Sequence, residues 1–322
     1  MASRERVRKA IEFDTPDRIP MFATGETDVV RLSYVDPTGW TPRFRPTGDF
    51  RDEWGTVWHT VDDTMGHVRH PAITDITRAG EYVLPDPHLP ARWAQFDEQI
   101  RQHADRYVVG NAQYLCYDRL AFLLGTAETL EALLLHPAEV QELMDRIVAF
   151  ELEIVDELAQ RGVHGIRFWD DVGGSTGTVM GPATWRAMFK ERYARAFAHI
   201  RGKGLHVHWH SCGNCLDIME DLVEVGAEVF SIGEPFMMGV AELAGRFGQR
   251  VCFECSPDNR LILSRANRDE INAAVDDLVW RLSSAAGGLI LIAAPDNFDC
   301  VPTEAQEMAM AAVRRAAGVA PG

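Results

Sequence analysis

Positive charge is scarce in this chain. Its 32 Lys and Arg face 48 Asp and Glu, a formal net charge of −16 over 322 residues. The deficit excludes nucleic acid and anionic membrane as partners, since both need clustered Lys and Arg. It also disfavours a highly anionic substrate unless arginines converge locally. Long apolar runs are missing as well: nothing approaches the roughly 18–20 uninterrupted apolar residues of a membrane span. Met1 to Phe13 is charged and helix-like, without the apolar core of a signal peptide, so a cytoplasmic location is expected. Cysteine is sparse, six in all, which reads as free thiols or metal ligands rather than a disulfide framework. No Gly-x-Gly-x-x-Gly follows an early strand, which removes the main dinucleotide fingerprint. No linker, low-complexity tract or simple repeat divides the chain, so residues 1–322 are read as one domain.

What is present is alternation. From about residue 104 to 318, short β-rich runs trade places with longer helical patterns. Tyr107–Asn111 is the first clear strand of the series. Pro137 to Gly162 then carries Val140, Leu143, Ile147, Phe150, Ile154 and Leu158 at helical spacing, with Pro at the start and Gly past the end. Strands follow at Gly165–Trp169, Leu205–His210, Glu228–Ile232, Val251–Cys255 and Leu289–Ala293. Helices are read from Pro182, near Leu216–Val225, through Ile271–Leu282 and from Pro302. Such alternation with short connections means parallel strands and crossover helices. At this length it favours a single (β/α)8 TIM barrel, of class α/β. About the first hundred residues are less regular. Arg18–Ala23 is read there as the first barrel strand, and Asp52–Pro71 as a hairpin covering one barrel end.

The chemistry concentrates in His206-Val207-His208-Trp209-His210-Ser211-Cys212-Gly213-Asn214. Side chains two apart share a face of a strand, so His210 and Cys212 are delivered together where the strand gives way to a turn. In a barrel that end is where reactions are carried out. Imidazole nitrogen and thiolate sulfur suit a borderline-soft divalent ion such as zinc. A catalytic zinc takes three protein ligands and keeps one position open. Cys300, in the loop after Leu289–Ala293, is the expected third ligand, with Cys255 at the end of Val251–Cys255 as the alternate. The spacing of Cys212-x-x-Cys215 and Cys252-x-x-Cys255 mimics a four-cysteine site, but the 36-residue gap is too wide and Cys252 faces opposite to Cys255. His206 and His208 share the face of His210 deeper in the strand. They read as hydrogen-bonded barrel interior, and His208 also as a partner orienting a ligand. Asp170 and Asp171 end the preceding strand, either as capping groups or as a carboxylate of the site. Glu26 stands in the equivalent place after the first strand. Asp171, Glu26 and His208 are therefore the candidate catalytic residues.

The chain resembles the uroporphyrinogen decarboxylase superfamily. The likeness is carried by Arg4-Glu5-Arg6-Val7 through Pro16-Asp17-Arg18-Ile19-Pro20, by Gly181-Pro182-x-x-Trp185, by His210-Ser211-Cys212-Gly213-Asn214, and by Gly287-Gly288-Leu289-Ile290-Leu291. True decarboxylases of that superfamily are metal-free and hold substrate carboxylates with arginines of an early motif. Here Met21-Phe22-Ala23-Thr24-Gly25-Glu26 stands at that place, with no arginine. The chain is more similar to the corrinoid-dependent methyltransferases of the methylcobalamin:coenzyme M type, whose zinc is bound by His-x-Cys and a distant Cys. His210 and Cys212 match the first two positions, and Cys300 falls several residues late for the third. The resemblance implies one zinc per chain and a methyl group moved between a corrinoid on a separate carrier protein and a small thiol or methylated substrate. It leaves room for a homodimer. Two other readings stand beside it: a metal-free decarboxylase using Asp171 or Glu26, and a barrel that binds a small molecule without turning it over.

Overall fold

The alternation of short strands and helices is realised as a ring. The computed structural model describes residues 1–23, 27–39, 47–61, 66–293 and 301–319. In chain order the strands are β1 (Met21–Phe22), β2 (Val29–Ser33), β3 (Gly48–Arg51), β4 (Val57–Thr60), β5 (His67–His70), β6 (Tyr107–Tyr114), β7 (Gly165–Trp169), β8 (His206–Ser211), β9 (Val229–Ile232), β10 (Cys252–Cys255) and β11 (Leu289–Ile292). Eight of them form one parallel sheet in the order β1-β11-β10-β9-β8-β7-β6-β2. The two end strands meet at a seam. There the Asp28 N–H donates to the Met21 carbonyl at 2.8 Å, and the Asp28 carboxylate accepts the Met21 N–H at 3.1 Å. The result is the (β/α)8 barrel expected from the sequence.

The irregular first third differs from a simple repeat. Strand β2 lies in the stretch where the pattern singles out no strand, and only residues 23–28 separate it from β1. That is too short for a crossover helix. The hairpin expected over 52–71 is a three-stranded antiparallel sheet, β3-β4-β5. Its Trp58 is buried edge-on against Phe122 at 4.8 Å, and the Thr56 hydroxyl donates to the Phe122 carbonyl at 3.0 Å. Phe122 belongs to the helix Tyr117–Leu124, which leaves the C-terminal end of β6, so the small sheet leans on that end of the barrel. A helix at Val240–Phe247 was not evident in the pattern, and the one near 216–225 is limited to Met219–Glu224. None of the described helices is long and apolar enough to cross a membrane.

Period-two alternation sorts the barrel strands into an outer and an inner set. Val207 and Trp209 of β8, Phe230 of β9 and Phe253 of β10 face the helices in the main apolar core. The long helix Pro137–Gln160 covers that shell with Val140, Leu143, Ile147, Ile154 and Leu158. Each such side chain contributes about 1.5–3 kcal/mol on burial. The inner set is apolar only towards the bottom, where Val29, Tyr107, Val109, Val229, Cys252 and Ile290 pack on Val7 and Ile11 of the helix Ser3–Ile11. That helix plugs the N-terminal end. Arg6 and Arg18 anchor it and the seam to the buried Asp28 carboxylate at 2.7 and 2.8 Å. Above this floor the interior turns polar. Arg31, Arg167, His208, Ser231 and Glu254 occupy positions where barrels ordinarily carry branched apolar side chains.

Candidate metal centre

Strand β8 points His206, His208 and His210 inward in successive levels, and the uppermost opens at the C-terminal rim. His210 Nε2 lies 3.7 Å from Cys212 Sγ and 4.0 Å from Asp171 Oδ1. One ligand atom from each of the three residues lies within 4.8 Å of the others. Tetrahedral bonds of zinc length would put such atoms ~3.4–3.6 Å apart. The donor set of imidazole nitrogen, thiol sulfur and carboxylate oxygen therefore fits a zinc ion after shifts of a few tenths of an ångström to about 1 Å.

Asp171 reaches the pair because two neighbouring loops are drawn together. The Asp170 N–H continues the β7–β8 ladder to the His210 carbonyl at 3.0 Å. Its carboxylate turns to the helix side. There it accepts the N–H groups of Cys116, Tyr117 and Asp118 at 3.1, 3.0 and 2.8 Å, together with the Tyr193 hydroxyl. Asp170 thus caps the start of Tyr117–Leu124. The next residue faces the other way, and Asp171 Oδ1 accepts the Cys212 N–H at 2.8 Å. The Asp171 N–H is in turn held by Asp118 Oδ2 at 2.9 Å. Beyond it, Gly174 and Asn214 form an antiparallel bridge, with the Asn214 N–H donating to the Gly174 carbonyl at 2.7 Å. Glycine is required for this approach. A Cβ on Gly173 would sit 2.3 Å from the Cys212 carbonyl oxygen, and one on Gly213, whose φ is +73°, would sit 2.4 Å from that of Gly173.

Electrostatics favours a cation at this spot. Burial first, then the carboxylates of Asp171 and Glu234, push the Cys212 thiol well above its ordinary pKa. Anions that destabilise a thiolate attract a divalent ion, and a bound ion reverses the effect on the thiol. Glu234 stands at the edge of the site: its Oε2 accepts the Gly213 N–H at 3.0 Å, and burial raises its pKa.

A family model described as uroporphyrinogen decarboxylase (URO-D) matches residues 119–315, more than half of the chain and the part that holds this cluster. The chain belongs to the uroporphyrinogen decarboxylase family. Among solved structures, a methyltransferase from Methanosarcina mazei superposes with a TM-score of 0.71 at 15% identity, covering 98% of each chain. At that identity the likeness establishes a shared fold. More distant are a D-psicose 3-epimerase (TM-score 0.43, 13% identity, 76% of this chain and 87% of that one) and a GH26 domain from Prevotella bryantii (TM-score 0.42, 10% identity, 97% and 93%). No curated protein matches the sequence.

The residues singled out from the URO-D sequence are placed as follows. His210 and Cys212 are together, and the Asp171 carboxylate lies beside them, within reach of the same ion. Cys300 and Glu26 lie outside the described residues. Cys255, offered as the alternate third ligand, requires correction. It pairs in register with Ile232 and Leu291, and that parity sends its thiol into the outer apolar shell, where it is fully buried. His208 lies one level below the cluster, wholly buried, 3.4 Å from the Tyr107 hydroxyl and 4.0 Å from Glu254. Burial lowers its pKa to about 3, so its ring is neutral. The four-cysteine alternative does not form: Cys215 packs beside Met238, and Cys252 is in the inner floor. Sequence reasoning missed Ser231, which lies 3.3 Å from His210 Nδ1, and Asp118. A polar residue at the inward parity of an otherwise apolar Val-Phe-Ser-Ile strand was the available signal for the first.

Proposed function

We propose that this URO-D family barrel is a zinc-dependent methyltransferase that moves a methyl group between a corrinoid on a separate carrier protein and a small thiol or methylated substrate. The observation that carries the reading is the convergence of His210, Cys212 and Asp171 at the C-terminal mouth of the barrel. Three donors of this kind hold a zinc ion and leave one position for a reactant. When bound there, zinc supplies Lewis acidity, which keeps an acceptor thiol ionised at neutral pH or polarises a methylated donor. Cys212 and Asp171 bring two negative charges to the ion, and the Cys212 N–H bond holds the Asp171 carboxylate against the pair. Because Asp171 sits on the β7 loop, His210 near the end of β8 and Cys212 just past it, the mouth between these strands is where the reactant docks.

Metal analysis of the purified protein tests the reading. About one zinc per chain is expected, absent from a His210→Ala/Cys212→Ala variant whose circular dichroism is unchanged. Asp171→Ala is expected to weaken zinc binding. A zinc-free wild type, or full zinc retention by the double variant, would overturn the proposal. Methyl transfer from methylcobalamin to added thiols, followed by the cobalt chromophore, then tests the reaction itself.

A further inference from the structure

His210 has two ring nitrogens, and only one of them faces the cluster. Nε2 is directed at Cys212 and Asp171, whereas Nδ1 points into the barrel, 3.3 Å from Ser231 Oγ. Ser231 sits directly across from His210 in the β8–β9 register and is 1% exposed. Behind it lies Arg167, also fully buried, whose Nη2 donates to the same hydroxyl oxygen at 3.3 Å. The Arg167 guanidinium is itself fixed over the Trp169 ring, 4.9 Å from its centroid.

A neutral imidazole can give Nε2 to a metal only if its hydrogen is on Nδ1. Arginine only donates, so its N–H occupies one lone pair of Ser231 Oγ; the hydroxyl keeps a second lone pair that can accept Nδ1–H and a hydrogen that it would give to Nδ1 in the opposite tautomer. We propose that Ser231, held by Arg167, is a positioning residue that locks His210 in the Nδ1–H tautomer and aims Nε2 at Cys212 and Asp171. Metal-binding histidines generally give this hydrogen to a carboxylate, a backbone carbonyl or water. Here the acceptor is a hydroxyl already engaged by a cation. It draws less charge into the ring than a carboxylate would, and a bound divalent ion keeps more of its Lewis acidity. The consequence for the metal rests on the reading given under Proposed function; the tautomer is a property of the metal-free chain.

Two measurements on wild type, Ser231→Ala and Ser231→Thr test this: long-range ¹⁵N–¹H correlation spectra of the metal-free protein, and zinc affinity by competition with a chelator. The wild type is expected to show His210 protonated on Nδ1. In Ser231→Ala the tautomers should mix and zinc affinity should fall about 10–100-fold. Ser231→Thr, which keeps the hydroxyl, should restore both. A wild-type His210 protonated on Nε2 overturns the proposal whether or not the alanine variant folds, and so does a folded Ser231→Ala that binds zinc as tightly as wild type. A wild type without zinc overturns the metal-centre reading alone, since the tautomer still judges Ser231.

Discussion

The two ends of β8 carry the same residue in different company. At the bottom, His206 Nδ1 meets the Tyr107 hydroxyl at 2.7 Å, and its Nε2 lies 3.3 Å from Glu12. At the top, His210 meets a thiol, a carboxylate and a serine. Both side chains are on the inward face of one strand, so neither local propensity nor parity separates them. What separates them is what the neighbouring strands bring to each level. The helix Ser3–Ile11 plugs the lower end, while the upper end is ringed by loops. Level along the strand, more than residue type, sets what a histidine can do here.

The sharpest way to break the comparison is to remove each histidine in turn. His210→Ala should weaken zinc binding by about three orders of magnitude or more, on the scale of losing one bond of a structural zinc site. His206→Ala should leave zinc stoichiometry unchanged. Inductively coupled plasma analysis together with chelator competition reads both, and equal effects would remove the distinction between the two ends.

A smaller effect is expected from the joint between the loops. Gly213→Ala places a methyl group against the Gly173 carbonyl and forces a left-handed backbone on an L-residue. It should cost about 2–4 kcal/mol in urea unfolding and weaken zinc binding, because Asp171 and Cys212 are held together by the same contact. An alanine variant with wild-type stability would show that the loops have room to part.

The least disruptive test addresses the lower end through pH. His164 Nδ1 accepts the Val108 N–H at 2.9 Å, and burial, with the Arg4 charge, lowers its pKa to about 4. The unfolded chain protonates this ring near the ordinary value of about 6.5. The folded state therefore binds fewer protons between those values, and the stability contributed above about pH 6.5 is lost as pH falls toward 4. The thermal midpoint should drop over that window, less steeply in His164→Asn, whose amide oxygen can still accept a hydrogen bond. A slope unaltered by the substitution would assign the acid sensitivity to other groups.

Much of this molecule was legible in its sequence, for identifiable reasons. The barrel followed from repeated strand and helix periods, and the His210–Cys212 pair from parity and the turn residues after it. Asp171 was visible as a rim carboxylate, but its closeness to the His210–Cys212 pair was not. Asp170 and Asp171 are chemically identical neighbours, and the helix start at Cys116–Asp118, fifty residues earlier, decides which one turns to the core. Cys255 went astray for a related reason. Alternation shows that it opposes Cys252, but only the register with β9 and β11 tells which of the two faces the axis. Strand β2 was hidden because its five residues mix Arg and Ser with apolar side chains, and the arginine is buried against Glu254 at 2.9 Å.

The bridge between Gly174 and Asn214 makes one mechanical unit of two loops that begin on separate strands. Asp171 and Cys212 stand just before that joint on its two loops and are themselves hydrogen-bonded, so a displacement of one loop carries the other with it. In a chain that binds zinc as proposed, release of the ion would require that joint to open, and the residence time would follow its opening more than the strength of any single bond.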